Sequence, residues 1–551
     1  HPRSHKIVRD KLEGNLDQPK LLLFLVEHTP DAEGISPILN YLVRNYAEAL
    51  KPESWEAIAD IYWEQWQYEE AGKAYAKAPP SPKTLYRAAR GQEIAGNESE
   101  AAIDYQNMIA EYPDTEETAQ ALTRLAEISP PQEALQHLDQ IINQFPEQAP
   151  EALFSKATLL EEQLQNGRGA GQARQALLNQ YPASEAASRY RWQQAQAQAA
   201  EEQFVDAWKW AHPIAINTPD SGIAPKAAFW VGKWAARLER AEDAEAAFQY
   251  VIAQHPESYY AWRSAALLGW NVGDFTTVRE LTPQVNPPDY RPTPPAGSPM
   301  FQELYQLGQD EDAMRLWYAE LGQQDQEEMT VAQQFTQGLV QQANDDYIEG
   351  ITSIWSLKER ENPNAQEAWQ DLRSQKIYWE ALFPFPYQSL ILEGAEQNQL
   401  NPLLVVSLIR QESRFEPEIR SSAGALGLMQ VMPDTADWIV DQTEMSEDYS
   451  LTNPEDNIRF GTWFLAFTHR EYNNNSLLAI ASYNAGPGNV NEWVQRFDVE
   501  DPDEFVEQIP FPETKGYVET VFGNYWNYLR LYNPEIAEKV KLAAPNQLME
   551  E

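Results

Sequence analysis

Cysteine is absent from the 551 residues, so the chain can form neither disulfides nor thiolate metal sites. That absence suits an oxidising compartment without establishing one. No run of about 18 apolar residues occurs, so no transmembrane segment is expected. The stretch Leu21 to Val26 is too short for one and has the wrong flanking charges for a signal peptide. The chain begins at His1 rather than methionine, which we read as a mature or shortened form whose export signal is missing. Basic residues are scarce: 41 Lys and Arg stand against 84 Asp and Glu, a formal net charge of −43. Such a balance disfavours nucleic acid, whose phosphates demand a basic surface. The seven histidines include no H-E-x-x-H pair, and His1 and His5 lie on a terminus expected to be disordered, so no metal is expected. Gly167, Gly169 and Gly171 lack the strand–helix setting of a nucleotide fold and no P-loop lysine follows them. No G-x-S-x-G elbow is present either. No cofactor is expected.

What is present points to helices. Alanine, glutamine, leucine and glutamate dominate, glycine is sparse and β-branched runs are few, so the fold class is all-α. An apolar content of 43% argues against wholesale disorder. The length calls for two or three domains. Between about 35 and 275, residue–proline pairs recur at Tyr112-Pro113, Phe145-Pro146, Tyr181-Pro182, Thr218-Pro219 and His255-Pro256. Their spacing is roughly 35 residues, the period of tetratricopeptide-like helix pairs. Apolar residues precede several of them at fixed offsets (Tyr105 and Ile109, Leu138 and Ile142, Phe248 and Ile252), while Arg174 and Ala211 mark degraded copies. Helix pairs of this kind stack into a superhelix because no single pair buries its own apolar face. A proline-rich stretch from Leu281 to Gly297, including Pro287 and Pro288, cannot be helical and marks a boundary. Helical patterning resumes from Met300 to about Lys376, with helix boundaries expected near Asp310 and Ala343.

The chemistry gathers near the C-terminus. Asn401-Pro402 reads as an N-cap followed by proline at the first helical position. Leu403 to Ile409 then give a helix apolar nearly all round, which should be buried. Glu412, in Arg410-Gln411-Glu412-Ser413-Arg414-Phe415, falls on the face of Leu408 and Ile409. Poor solvation there should raise its proton affinity and leave a carboxylic acid near neutral pH, as a glycosidic leaving oxygen requires. Ser421 to Gly427 should form a non-helical turn leading to Gln430, Met432 and a helix opened by Pro433. Ala479 to Gly488 reads as a helix ending in a glycine turn, and Tyr483 carries a hydroxyl able to donate to Glu412 or to a substrate N-acetyl group. Trp463, Trp493 and Trp526 are more readily core than sugar platforms.

In order, the Arg410–Phe415 segment, Gly424–Pro433, Tyr483-Asn484-Ala485-Gly486 and Ile509–Thr514 resemble the soluble lytic transglycosylases, enzymes with a lysozyme-like domain that cleave peptidoglycan. The resemblance implies an α-superhelical domain over 1–290, a helical linker over 291–375 and a lysozyme-like catalytic domain over 376–551 that docks on the superhelix. It implies that Glu412 is the catalytic acid and that Ser421, Gln430, Glu513 and Tyr517 line the cleft. Met432 would make an apolar contact there, with Tyr483 at the glutamate and Asn484 beside it. Gln430 also reads as a satisfied buried amide, and Leu451, Pro454, Asn457, Ile458 and Gly461 as scaffold. The implied partner is the glycan strand, the implied compartment the periplasm, and the superhelix is the expected surface for any protein partner. The implied reaction breaks the MurNAc–GlcNAc bond without water, with Glu412 as acid and then base, and leaves a 1,6-anhydro end. A hydrolytic muramidase of goose-lysozyme type and an inactive glycan-binding scaffold are the alternatives.

Overall fold

The structure is a computed structural model and describes residues 8–9, 11–12, 16–28, 34–286, 291–322 and 328–543. His1, His5, Pro287 and Pro288 lie outside the described residues. Among those described the fold is all-α, as expected, with two isolated β-bridges, Arg420 to Leu426 and Leu426 to Val431. No described helix is long and apolar enough to cross a membrane. The chain divides at Gln194–Ala195 into two compact units. The boundary expected near 290 therefore falls inside the second unit.

In the first unit, helices from Pro52–Glu64 to Gly167–Gln180 run in succession, most of them packing on the next. Pro82–Ile94 also packs on Glu116–Ile128, the contact that stacks one pair on another. The proline period has a local cause. Tyr112, Phe145 and Tyr181, and in the second unit Thr218 and His255, each end a helix with φ between −124° and −135°. Proline disfavours the helical region for the residue before it, so every copy stops at the same place. Tyr105 and Leu138, at the predicted apolar offset, are buried. Arg174, at the degraded one, turns outward to pair with Glu161.

The second unit opens with the remaining repeat helices, including Ala224–Arg237 and Tyr259–Leu267, and continues through Val331–Ala343 and Tyr347–Trp355. The helices expected near Asp310 and Ala343 do begin and end there. From residue 388 we number α1 (Gln388–Gln397), α2 (Pro402–Ser413), α3 (Pro433–Gln442), α4 (Pro454–Glu471), α5 (Ser476–Ala485), α6 (Pro487–Arg496), α7 (Pro502–Gln508), α8 (Pro512–Tyr532) and α9 (Pro534–Leu542). Seven of these carry proline in the first turn, where its missing amide costs nothing. The central element is α8, which packs on α2, α5 and Tyr259–Leu267. Val518, Val521, Phe522, Tyr525 and Trp526 on it are fully buried. Trp526 is thus core, as its type favours.

Candidate active site

Helix α2 begins as the sequence dictates, with the Asn401 side chain accepting from the Leu403 amide at 3.0 Å. Leu403 to Ile409 are all buried, so the helix is fixed before it reaches Glu412 in its last turn. Ser413 then holds the helix end: its hydroxyl donates to the Ile409 carbonyl and accepts from the Phe415 amide, both at 3.1 Å. Arg414 and Phe415 follow with φ of 48° and 70°. Two successive non-glycine residues in the left-handed region cost on the order of 1–2 kcal/mol each, so their surroundings must enforce the turn.

Glu412 is half-buried, and its Oε1 accepts a hydrogen bond from the Tyr517 hydroxyl on α8. Burial pushes its pKa up to about 7, and the Tyr517 hydrogen bond opposes that rise. Neither Arg410 nor Arg414 offsets it. Arg410 donates instead to the Leu382 carbonyl at 3.0 Å and to Asn524 at 3.2 Å, and its guanidinium lies 4.3 Å from the Phe383 ring centre. Arg414 donates to Thr352 at 3.3 Å. Nor does a second carboxylate contribute to the field at Glu412. The result is a lone acid that remains protonated near neutral pH.

The structure redistributes the expected tyrosines. Tyr483 donates to the Met429 carbonyl at 2.8 Å and not to Glu412; the residue bonded to the acid is Tyr517. Tyr483 still feels the charge of Glu412, so it lies in the same site. Burial, then the Glu412 charge, raises both phenols well above their ordinary pKa, which keeps them as neutral donors. Asn484 accepts from Thr514 at 2.7 Å, tying the end of α5 to the start of α8.

The segment before α3 is non-helical, as its serines and glycines predicted. Ser421 accepts from the Ala425 amide at 3.0 Å, a bond that stays within the loop. Gln430, at φ 48°, donates to the carbonyls of Gly427 at 2.9 Å and Ile419 at 3.3 Å, so its amide is engaged within the loop. Met432 is 38% exposed at the N-cap of α3. Glu513 is exposed in the first turn of α8 and has no hydrogen bond to these residues.

Asn457, expected only as scaffold, shapes this loop. Asn457 on α4 is 1% exposed; it accepts from the Met429 amide at 2.7 Å and donates to the Leu426 and Leu451 carbonyls at 2.8 and 2.7 Å. A polar side chain buried so deeply survives only because all these bonds are made. Gly427 faces it at φ 74°, where an added Cβ would lie 2.2 Å from the Leu451 oxygen and 2.4 Å from Asn457 Nδ2. Only glycine fits.

The family described as Transglycosylase SLT domain matches residues 389–506. The chain carries a transglycosylase SLT domain. Over this SLT domain and its flanks, the soluble lytic murein transglycosylase of Escherichia coli (strain K12) is 36% identical across 173 residues, covering 29% of this chain and 27% of that protein. The namesake from Salmonella typhimurium (strain LT2) is 38% identical across 167 residues, covering 28% and 26%. The chain thus spans little more than a quarter of the curated relatives it matches. A solved complex of the 70-kDa soluble lytic transglycosylase with bulgecin A aligns over 96% of this chain and 92% of its own, at TM-score 0.50 and 19% identity, a likeness of fold. The SLT match stops at 506, before Tyr517, so the acid and its hydrogen-bond partner come from inside and outside the matched segment.

Proposed function

We propose that this protein is a lytic transglycosylase that cleaves the MurNAc–GlcNAc bonds of peptidoglycan, and that it works in the periplasm where that substrate lies. The observation that carries this reading is Glu412, buried enough to hold its proton to about pH 7 and without a second carboxylate in its field. Glycosidases that activate water or form a glycosyl-enzyme need two carboxylates, whereas a substrate-assisted route needs one. Tyr517 engages Oε1, so Oε2 is the oxygen that delivers the proton to the bridging oxygen between the sugars. As that C–O bond breaks, the N-acetyl group of the muramic acid closes on C1 as an oxazolinium. Glu412, now ionised, takes the proton of the C6 hydroxyl, whose oxygen attacks C1 and reopens the oxazolinium. The products are a 1,6-anhydro end and a free GlcNAc 4-hydroxyl, with no water consumed. Ser421, Gln430, Met432, Tyr483, Asn484, Glu513 and Tyr517 line the cleft that binds the sugars.

Mass spectrometry of products from purified sacculi tests this reading. Anhydro-muramic ends are the expected result. Reducing muramic ends would overturn it in favour of hydrolysis, and binding without cleavage would leave only a glycan-binding scaffold.

A further inference from the structure

The turn that aims Glu412 is held from outside the SLT domain. Phe415 is completely buried, and its ring meets that of Tyr347, centre to centre 5.7 Å at 66°. One residue earlier, Arg414 donates to Thr352 on the same helix, Tyr347–Trp355, at 3.3 Å. That helix is itself closely seated. A Cβ added to Gly350 would lie 2.8 Å from the Gly338 carbonyl oxygen, and one added to Gly338 would lie 2.6 Å from Ile354. The helices Val331–Ala343 and Tyr347–Trp355 thus meet backbone to backbone, and Asp346 caps the second by accepting from the Glu349 amide at 3.3 Å. A closely seated helix therefore touches both left-handed residues, Arg414 and Phe415, that follow Ser413 at the end of α2. Within α2 itself, Ser413 is the only side chain bonded to this turn. Side chains held by packing from a second layer are what keep a reacting group within a fraction of an ångström of its productive position.

From these contacts we propose that Tyr347 is a positioning residue for Glu412: its ring holds Phe415 and the left-handed turn in place, and so keeps the carboxyl on Tyr517 and out of water. Only the kinetic part rests on the function proposed above. The phenol hydroxyl has no part in this role, because the contact with Phe415 is ring to ring.

The test compares Tyr347→Ala and Tyr347→Phe in the full chain, with Glu412→Gln as spectroscopic reference. Titration of Glu412 is read from its carboxyl infrared band by difference against the Gln variant, independently of any substrate. Without the ring, water reaches the carboxyl and its midpoint should fall by about one unit in Tyr347→Ala. In Tyr347→Phe the midpoint should match the parent. On purified glycan strands, kcat of Tyr347→Ala should fall on the order of tenfold with KM unchanged, and Tyr347→Phe should be fully active. A Tyr347→Ala protein that titrates like the parent overturns the proposal, as does an equal loss in Tyr347→Phe. If Tyr347→Ala does not fold, Tyr347→Leu keeps the bulk but not the flat ring, and the same midpoint shift decides. A parent chain that cleaves nothing would refute the proposed function, and the titration would still judge Tyr347.

Discussion

In the reaction proposed above Glu412 sets the rate, and its burial also bears on stability. Its folded pKa of about 7 lies above the carboxyl value of about 4.3 in an unfolded chain. Between those values the unfolded chain releases the proton that the folded chain retains, so stability declines as pH rises from 4.3 to 7 and then levels off. Glu412→Gln removes the ionisation at nearly constant size. It should be more stable than the parent by up to about 3–4 kcal/mol at pH 8 and no different at pH 4, measured by denaturant melts at the two pH values. Its cleavage rate should drop on the order of a hundredfold or more; full activity would remove Glu412 from the chemistry. The parent itself should be most active below about pH 7 and lose rate as the acid ionises above it. Tyr517 works in the opposite direction to burial, because its hydrogen bond favours the ionised carboxylate. Tyr517→Phe should therefore move the alkaline limb of the rate profile to higher pH. A limb that moves down would show that the bond serves some other end.

The cleft loop and its clamp are a matter of elements, in which two glycines of one motif differ in kind. Gly427 sits at φ 74° with Leu451 and Asn457 against it, whereas Gly424, at φ 95°, has nothing nearer than Arg420 at 3.9 Å. Gly427→Ala should lower stability by about 3 kcal/mol and abolish most activity, since it must also displace Asn457. Gly424→Ala pays only for backbone strain, about 1 kcal/mol. Thermal melts of the pair separate the two costs, and equal losses would contradict the clamp. The loop's irregular backbone was legible from its serines and glycines. Its dependence on Asn457 was not, because a buried asparagine 30 or so residues downstream looks like any helix polar residue until the chain is folded.

At the scale of the second unit, the late repeat helices and the SLT domain form one body. Trp262 stacks on Phe522 at 4.8 Å with the rings 3° from parallel. Arg263, 1% exposed, pairs with Asp503 at 2.6 Å, and Lys233 reaches the same carboxylate at 2.9 Å. Burial alone would raise the pKa of Asp503, but Arg263 and Lys233 outweigh it and hold the carboxyl below its ordinary value. Its contribution is therefore present at neutral pH and is lost as pH falls through the acidic range. Asp503→Ala leaves the buried Arg263 guanidinium with Asp274, at 2.8 Å, as its remaining counter-charge and frees Lys233 of one partner, which should cost about 3 kcal/mol. Calorimetry at pH 7 should show the transition well below that of the parent; an unchanged transition would mean the pair carries no net weight.

The helix period and the burial of Glu412 were already legible in the sequence. Proline every helix pair fixes where helices stop, because the restriction acts on the neighbouring residue and needs no tertiary contact. Likewise an apolar helix ending in a glutamate must either bury that carboxyl or fray, and the ordered motifs after it named the family. Folding alone decided which tyrosine serves the acid. Tyr483 and Tyr517 are equivalent as phenols, and only the crossing of α8 over α2 brings one of them to Oε1 while the other faces Met429. Packing likewise decided that Trp262 and Phe522, far apart in the sequence, meet with their rings stacked at 4.8 Å.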